Sequence, residues 1–511
     1  MSGIERIEAM EKYILKLEHE NARLHETVAY LTKKLYGRSS EKTSILNLGE
    51  MSLFDEAEVE ANPRAPEPDL QQVTNYRRKK FKGQREELLK DIPHIKKLCS
   101  LAEEDRFCER CGTPLCSVGE EFIRTEIEFI PAEIRVIDYY RETFECRPCR
   151  KAGESYMEKS PMPYPVIQHS MASPTTVAWV MHQKYVNALP LYRQEKEWET
   201  LGVSLSRSTL ANWIIVASRD WLAPLVNRLH EALLTERYIH CDETTLQVMQ
   251  EVGRKNTTTS YMWVYSSGQY SKYPIRIFEY QPGRNGCYPR KFLEGFQGFL
   301  HSDAYSGYNK VPGVTRCFCW SHQRRYFVDA LPKDTKGPEA TFASQGIEYC
   351  NKLFEIEKNL KDLSDEKRKN ERLKQEKPIL DAFWAWIESA KGQLLPKSKS
   401  AEAVNYALNH KDGLMNYLLD GNCSISNNLV ENSIRPFTVG RRNWLFSGSP
   451  RGAAASAIAY SIVETAKANG LNPYKYLKFI FSELPGVQFG QHPEFLEDYF
   501  PWNPEIQQIC K

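Results

Sequence analysis

Three scarcities bound what this chain can be. Net charge is one: 68 Lys and Arg stand against 66 Asp and Glu, leaving +2 over 511 residues. That excludes a globally basic binder of nucleic acid, so any phosphate-binding surface must be local. Long apolar runs are also missing. The strongest candidate, AAASAIAYSIV at 453–463, carries polar residues and falls short of the ~20 a membrane helix needs. It reads as a core helix. No secretory leader is recognisable, and the 13 cysteines are an odd number. Both point to a reducing compartment, so a cytoplasmic protein with no membrane partner is expected. At roughly 100–200 residues per domain, the chain holds several.

The cysteines are informative where they pair. Cys108 and Cys111 form one CxxC, and after 34 intervening residues Cys146 and Cys149 form another. Two thiols with this spacing give the bite of a tetrahedral metal, and two bites complete a structural zinc site. Gly112 follows the second thiol, where a knuckle turn needs a permissive backbone. The intervening FIRTEIEFIPAEIRVIDYYRETFEC alternates apolar and polar residues as strands do. The pattern predicts a zinc ribbon. Two disulfide-forming pairs and two chance CxxC motifs are the alternatives.

Residues 4–36 carry a heptad, with Ile7, Ile14, Asn21, Val28 and Leu35 at a and Met10, Leu17, Leu24 and Leu31 at d. β-branched a residues with Leu at d favour a parallel dimer, and a lone a-position Asn fixes its register. The alternative is an amphipathic helix packed on its own domain. An acidic, proline-containing linker follows, and then YRRKKFKGQR. Arg77, Arg78, Lys79 and Lys80 lie in that run and could neutralise phosphates. A solvated charge run is the plain reading.

Residues 174–236 are helical by pattern and contain a helix-turn-helix shape. A first helix is expected near Tyr192–Thr200, a turn at Leu201-Gly202-Val203, and a second helix capped by Ser206. Leu210, Trp213 and Ile214 would face inward. Arg207, Ser208, Thr209 and Asn212 would face out at the leading end, where recognition helices meet bases. A plain αα-hairpin is the alternative.

The period then changes. Segments 237–249, 259–267, 273–280, 297–308 and 315–322 are short, aromatic and β-branched, and read as five strands. Helices are expected after Asp303 and after Trp320, giving a mixed sheet with helices packed on it. Asp242 interrupts the first strand and Asp303 follows the fourth. Glu431 lies far downstream at the start of a helix, three residues after Asn428. Three carboxylates can hold two divalent ions roughly 3.5–4 Å apart, clamping both oxygens of an in-line phosphoryl displacement. Oxygen ligands suit Mg²⁺ or Mn²⁺. Each acid also has a structural reading. Asp242 could cap a turn with Thr244 or Thr245, Asp303 a helix near Tyr305, and Glu431 could close a capping arrangement with Asn428 or pair with Arg435. Acids separated by 61 and 128 residues cannot be joined by spacing alone.

Taken together, these stretches resemble the bacterial insertion-sequence transposases of the sixty-six family, members of the DDE class. The resemblance is carried by the zipper leading to LYGRSSEK, the four-cysteine region with IPAEIRVI, DETTLQV, SDAYSGYN and CWSHQRRYF. Its most specific part is NNLVENSIRPFTVGRRNWLFSGS with YSIVETAKANGLNPYKYL. His240-Cys241 before the first Asp is a less familiar lead-in. The resemblance implies a ribonuclease-H-like catalytic core in which Asp242, Asp303 and Glu431 are the metal-binding acids. His322, Arg325, Arg441 and Arg442 would hold DNA phosphates or organise the site. Trp320 and Trp444 read at least as well as core residues, and the Arg pair could equally make surface salt bridges.

The implied activity is Mg²⁺-dependent cleavage at the element's ends and joining of the freed 3′-OH to target DNA. The implied partners are the terminal inverted repeats, target DNA, a second copy through the zipper or a larger assembly, and helper proteins encoded by the same element. A nucleoid-associated location in a bacterial cytoplasm follows. The expected architecture is multidomain α+β: a coiled coil (1–37), a linker with the basic stretch (38–97), the zinc ribbon (98–152), the helix-turn-helix-like segment (153–236), the core in two parts (237–330 and 421–482) around a helical insertion (331–420), and a C-terminal tail (483–511). Rival readings are a zinc-dependent DNA-binding regulator without catalysis, a Mg²⁺-dependent nuclease without strand transfer, and a transposase remnant that has lost mobility.

Overall fold

The computed structural model describes residues 134–145, 157–331 and 341–511. The expected zipper, the basic stretch with Arg77, Arg78, Lys79 and Lys80, and the expected zinc ligands Cys108, Cys111, Cys146 and Cys149 lie outside the described residues. The elements below belong to one compact body that includes Val136–Lys511. It opens with a two-stranded antiparallel pair, β1 (Thr143–Glu145) and β2 (Met157–Lys159).

A helical layer follows: α1 (Pro174–Tyr185), α2 (Leu191–Thr200), α3 (Arg207–Ala217) and α4 (Ala223–Leu234), the last two joined through a π-helical turn at Ser218–Leu222. The expected helix-turn-helix shape is present. Gly202 takes φ +88° in the turn, where a residue with a side chain would be strained. Ser206 caps α3, its hydroxyl accepting from the Thr209 N–H at 3.2 Å. Leu210, Trp213 and Ile214 are buried, while Arg207, Ser208 and Asn212 are exposed.

The sheet has five strands: β3 (Tyr238–Gln247), β4 (Thr259–Ser267), β5 (Arg276–Gln281), β6 (Gly298–Ser302) and β7 (Val314–Phe318), in the order β5-β4-β3-β6-β7. The first three run antiparallel as a meander, and β6 and β7 are parallel to β3. A parallel return needs a crossover, supplied before β6 by a chain segment containing α5 (Cys287–Phe292). Two expectations are corrected here. Asp303 is followed by a 3₁₀ turn at Ser306–Lys310 and not by an α-helix. The last strand ends at Phe318, and α6 (Trp320–Ala330) begins at the Trp itself.

Between the two parts of the sheet region lie α7 (Phe342–Leu360), α8 (Asp365–Ala390), α9 (Lys399–Asn409) and α10 (Lys411–Met415). The charged sequence of α8 hides a buried pair: Arg372 meets Glu357 at 2.5 Å and also bonds the carbonyls of Tyr417 and Asp420. Trp320 packs into this helical core with Phe383 and Trp384, its indole N–H donating to the Leu414 carbonyl at 2.8 Å.

The chain returns to the sheet as α11 (Asn428–Trp444) and α12 (Pro450–Ala468), and closes with α13 (Pro473–Glu483) and α14 (Pro504–Ile509). The stretch 453–463 is core helix, as its composition suggests. α12 is rich in alanine because it lies close against edge strand β5. Ser461 and Thr465 accept hydrogen bonds from the β5 N–H groups of Phe278 (2.8 Å) and Arg276 (3.0 Å). The helix thus satisfies an edge that would otherwise offer itself to another strand. Residues after α13 fold back on it, with Ile506 buried and the Asn472 N–H bonded to the Cys510 carbonyl.

Candidate active site

Strand register brings the first two acids together. His240 of β3 is the cross-strand partner of His301 of β6, and His301 that of Cys317 of β7. The two imidazoles stack at 4.3 Å. Asp242, Asp303 and Cys319 each lie two residues further along, on the same side as these partners by the strand period. Helix α11 packs on β3 and β4 and brings Glu431 in from its first turn. The three predicted acids are therefore neighbours, despite their separation in sequence.

Electrostatics register this closeness. Burial pushes the Asp242 carboxyl well above the usual range, and Glu243, Asp303 and Glu431 push it the same way. One bond opposes them, from the Glu243 N–H to Asp242 Oδ1 at 2.8 Å. The local readings of the three acids divide. Asp242 lies within a strand and not in a turn. Asp303 Oδ1 does accept from the Tyr305 N–H at 3.0 Å, a local turn bond. Glu431 looks across the cleft, with Oε1 3.9 Å from His322 Nδ1 and Oε2 3.8 Å from Arg325 Nη2. Burial lowers the His322 pKa, Glu431 opposing and Arg325 reinforcing that effect.

The other predicted basic residues divide. Arg441 turns inward along β3, donating to Thr244 Oγ1 at 3.0 Å and to the Thr245 carbonyl, so it fastens α11 to the strand of Asp242. Arg442 is exposed on the same helix. Arg207 and Asn212 lie exposed on α3.

Four residues that the sequence reading did not single out complete the site. Glu243, with its side chain only 1% exposed, accepts from Arg284 Nε at 2.6 Å and from the Tyr308 hydroxyl at 2.5 Å. Burial raises its pKa, while Tyr308 and Arg284 pull it back. Arg284 also reaches Asp303 Oδ2 at 3.6 Å. Arg316 of β7 donates to the carbonyls of Asp303 (2.6 Å) and Tyr305 (3.2 Å) and to the Ser302 hydroxyl, so it holds the turn that carries Asp303. Buried Asn427 donates to the Cys241 carbonyl at 2.8 Å and contacts His240 Nδ1 at 2.9 Å, and its own N–H points to Cys319 Sγ at 3.1 Å. The available signals were position only: Glu243 adjoins Asp242, and Asn427 precedes α11.

An oxygen-seeking divalent cation fits this donor set. Asp242, Asp303 and Glu431 would hold it, and its charge would return Asp242 to the carboxylate form that burial and like charge disfavour.

Comparisons with known proteins cover most of the chain. Residues 169–455 match a family model described as "Transposase IS66 family". Residues 105–150 match the "zinc-finger binding domain of transposase IS66", 23–96 a model described as "Transposase C of IS166 homeodomain", and 461–502 the "IS66 C-terminal element". Two uncharacterized proteins of Sinorhizobium fredii are relatives over nearly full length. The protein y4hP is 28% identical, covering 92% of this chain and 87% of its own. The protein y4jD is also 28% identical, covering 98% and 97%. Among solved structures, the Drosophila P element transposase strand transfer complex aligns at TM-score 0.36 and 12% identity, over 58% of this chain and 92% of that one. The first of these models spans more than half of the sequence, including Asp242, Asp303 and Glu431, and on that ground the chain belongs to the IS66 transposase family.

Proposed function

We propose that this chain cleaves DNA at insertion-sequence ends and joins the freed ends to target DNA, with Asp242, Asp303 and Glu431 as the catalytic acids. The observation that carries this reading is the convergence of these three carboxylates from β3, the turn just after β6, and α11. A strand order of three antiparallel strands followed by two parallel ones favours a ribonuclease-H-like core. Bound Mg²⁺ or Mn²⁺ would supply the Lewis acidity that activates the attacking hydroxyl and stabilises the leaving oxygen.

The chain's own groups would do the rest. Arg316 and Arg284 position Asp303, Asn427 and Arg441 hold α11 against β3, and Arg325 and His322 flank Glu431. In strand transfer, the 3′-OH released by hydrolysis attacks a target phosphodiester and expels another 3′ oxygen. One bond forms for each one broken, and no covalent protein intermediate is needed. Cys108, Cys111, Cys146 and Cys149 would bind structural zinc. Arg207 and Asn212 at the exposed start of α3, Arg442, and the 77–80 basic run would contact DNA. The 4–36 heptad would pair two copies so that two ends are held together before cutting. Helper proteins of the same element and a nucleoid-associated cytoplasmic location complete the reading.

The test is a strand-transfer assay on labelled element-end DNA with Mg²⁺, comparing the full chain with Asp303→Asn. Cleavage and joining by the native chain should both vanish in the variant. Undiminished joining by Asp303→Asn would sink the catalytic assignment. Cleavage without joining by the native chain would mark a nuclease, and binding without cleavage a regulator.

A further inference from the structure

We propose that Cys319, His322 and Glu431 form a binding site for a zinc-class cation, distinct from the three-carboxylate site but sharing Glu431 with it. The inference rests on ligand placement and not on the reaction proposed above. Cys319 is the N-cap of α6 and His322 lies in that helix's first turn, so a C-x-x-H spacing turns both toward one point. Glu431 arrives there from α11. The Cys319 sulfur, a His322 ring nitrogen and a Glu431 oxygen all lie within 4.8 Å of one another.

Two further observations point to a ligand. His322 Nδ1 and Glu431 Oε1 are both buried, and neither has a hydrogen-bond partner among the described residues. A buried polar atom left unpaired is destabilising, so two facing each other at 3.9 Å call for a group between them. A cation between them would satisfy both. The Cys319 sulfur is already oriented, accepting from the Asn427 N–H at 3.1 Å. Hydrogen bonds to a ligand of this kind are how proteins aim donors at a metal.

The donor types select the ion. Mg²⁺ takes oxygen and keeps its waters, whereas thiolate, imidazole and carboxylate together suit Zn²⁺. Three protein ligands leave a fourth tetrahedral position, as in open zinc sites. The His322 and Glu431 side chains are 22% and 28% exposed, so the pair lies near the surface although the facing Nδ1 and Oε1 atoms are covered. Binding exchanges an S–H bond for an S–metal bond and releases the proton to buffer. Because Glu431 cannot serve both sites fully, zinc here would withdraw one acid from Asp242 and Asp303. The site would make zinc an antagonist of Mg²⁺.

The test uses Co²⁺ as a visible probe of the metal-stripped full chain, without DNA. Native protein is compared with Cys319→Ser and His322→Ala, all retaining the cysteines of the zinc-finger region. The native chain should bind one more Co²⁺ per chain than either variant, with extra thiolate-to-cobalt absorption in the near-ultraviolet. Affinity at this site should fall by at least about tenfold in each variant. Far-ultraviolet circular dichroism checks that both stay folded, and the solvent-reachable His322→Ala carries the comparison if Cys319→Ser does not. Equal stoichiometry and equal spectra in native and His322→Ala protein would overturn the proposal. Failure of strand transfer by the native chain would leave this cobalt result intact, so the two readings fail separately.

Discussion

The amide of Asn427 stands with Oδ1 2.9 Å from Nδ1 of His240, joining the loop before α11 to the strand that carries Asp242. Its Nδ2 donates to the Cys241 carbonyl. One buried side chain thus sets the distance between two of the three acids. Asn427→Ala should leave these two buried polar groups unpaired and cost roughly 2–6 kcal/mol, at about 1–3 per orphaned group. Urea unfolding measures this. DNA cleavage should fall in the variant even under conditions where it remains folded. A neutral effect on both would show that β3 and α11 are held by other contacts.

Arg316 tests positioning without a hydrogen bond to any of the three carboxylates. Its fork spans the Ser302 hydroxyl and the carbonyls of Asp303 and Tyr305, and a lysine cannot make those bonds together. Arg316→Lys should lower the cleavage rate about 10²-fold, the scale of an ångström's misplacement at a reacting centre. DNA affinity should hardly change. A loss that appears wholly in affinity would move Arg316 from positioning to DNA binding.

How far the sequence spoke depended on the range of the interaction. Strand β4 was legible at 259–267 to the residue, because aromatic and β-branched side chains bounded by turns are a local signal. The Ser206 cap and the inward Leu210, Trp213 and Ile214 of α3 were legible for the same reason. The turn after Asp303 was misread as an α-helix: five residues close a 3₁₀ turn, and Asp303 bonds the Tyr305 N–H just before it. Arg284, Arg316 and Asn427 were invisible. Their partners lie 41, 14 and 187 residues away, at distances no periodicity encodes.

Glu243 and Arg284 make the most exposed-to-buried contrast in the site, with side chains 1% and 41% accessible. Removing the arginine leaves a buried carboxylate with Tyr308 as its remaining hydrogen-bond donor. Arg284→Ala should therefore destabilise the protein, but by less than the roughly 3–5 kcal/mol seen when one partner of a fully buried pair is deleted, because Arg284 is itself solvent-screened. Adding Glu243→Gln should restore much of that loss, since the second change removes the stranded charge. A double-mutant cycle by chemical denaturation measures the coupling. Strict additivity would show that the pair does not interact energetically.

Asp242 gives the pH dependence its sign. Its folded-state pKa lies well above the unfolded value, chiefly through burial and then through Glu243, Asp303 and Glu431. Between the two values the native state binds the extra proton. Without divalent ions, stability should then decline as pH rises from the unfolded carboxyl pKa, near about 3.9, towards the folded one. Mg²⁺ favours the charged form, so it should oppose this decline and stabilise most at the higher pH. Thermal unfolding at pH 5.5 and 8, with and without Mg²⁺, reads both effects. Asp242→Asn removes the charge, so it should be more stable than the native chain in the absence of metal, with a smaller Mg²⁺ response and no cleavage. If the native chain gained as much from Mg²⁺ at the lower pH, or if Asp242→Asn kept the full response, the ion would be binding elsewhere.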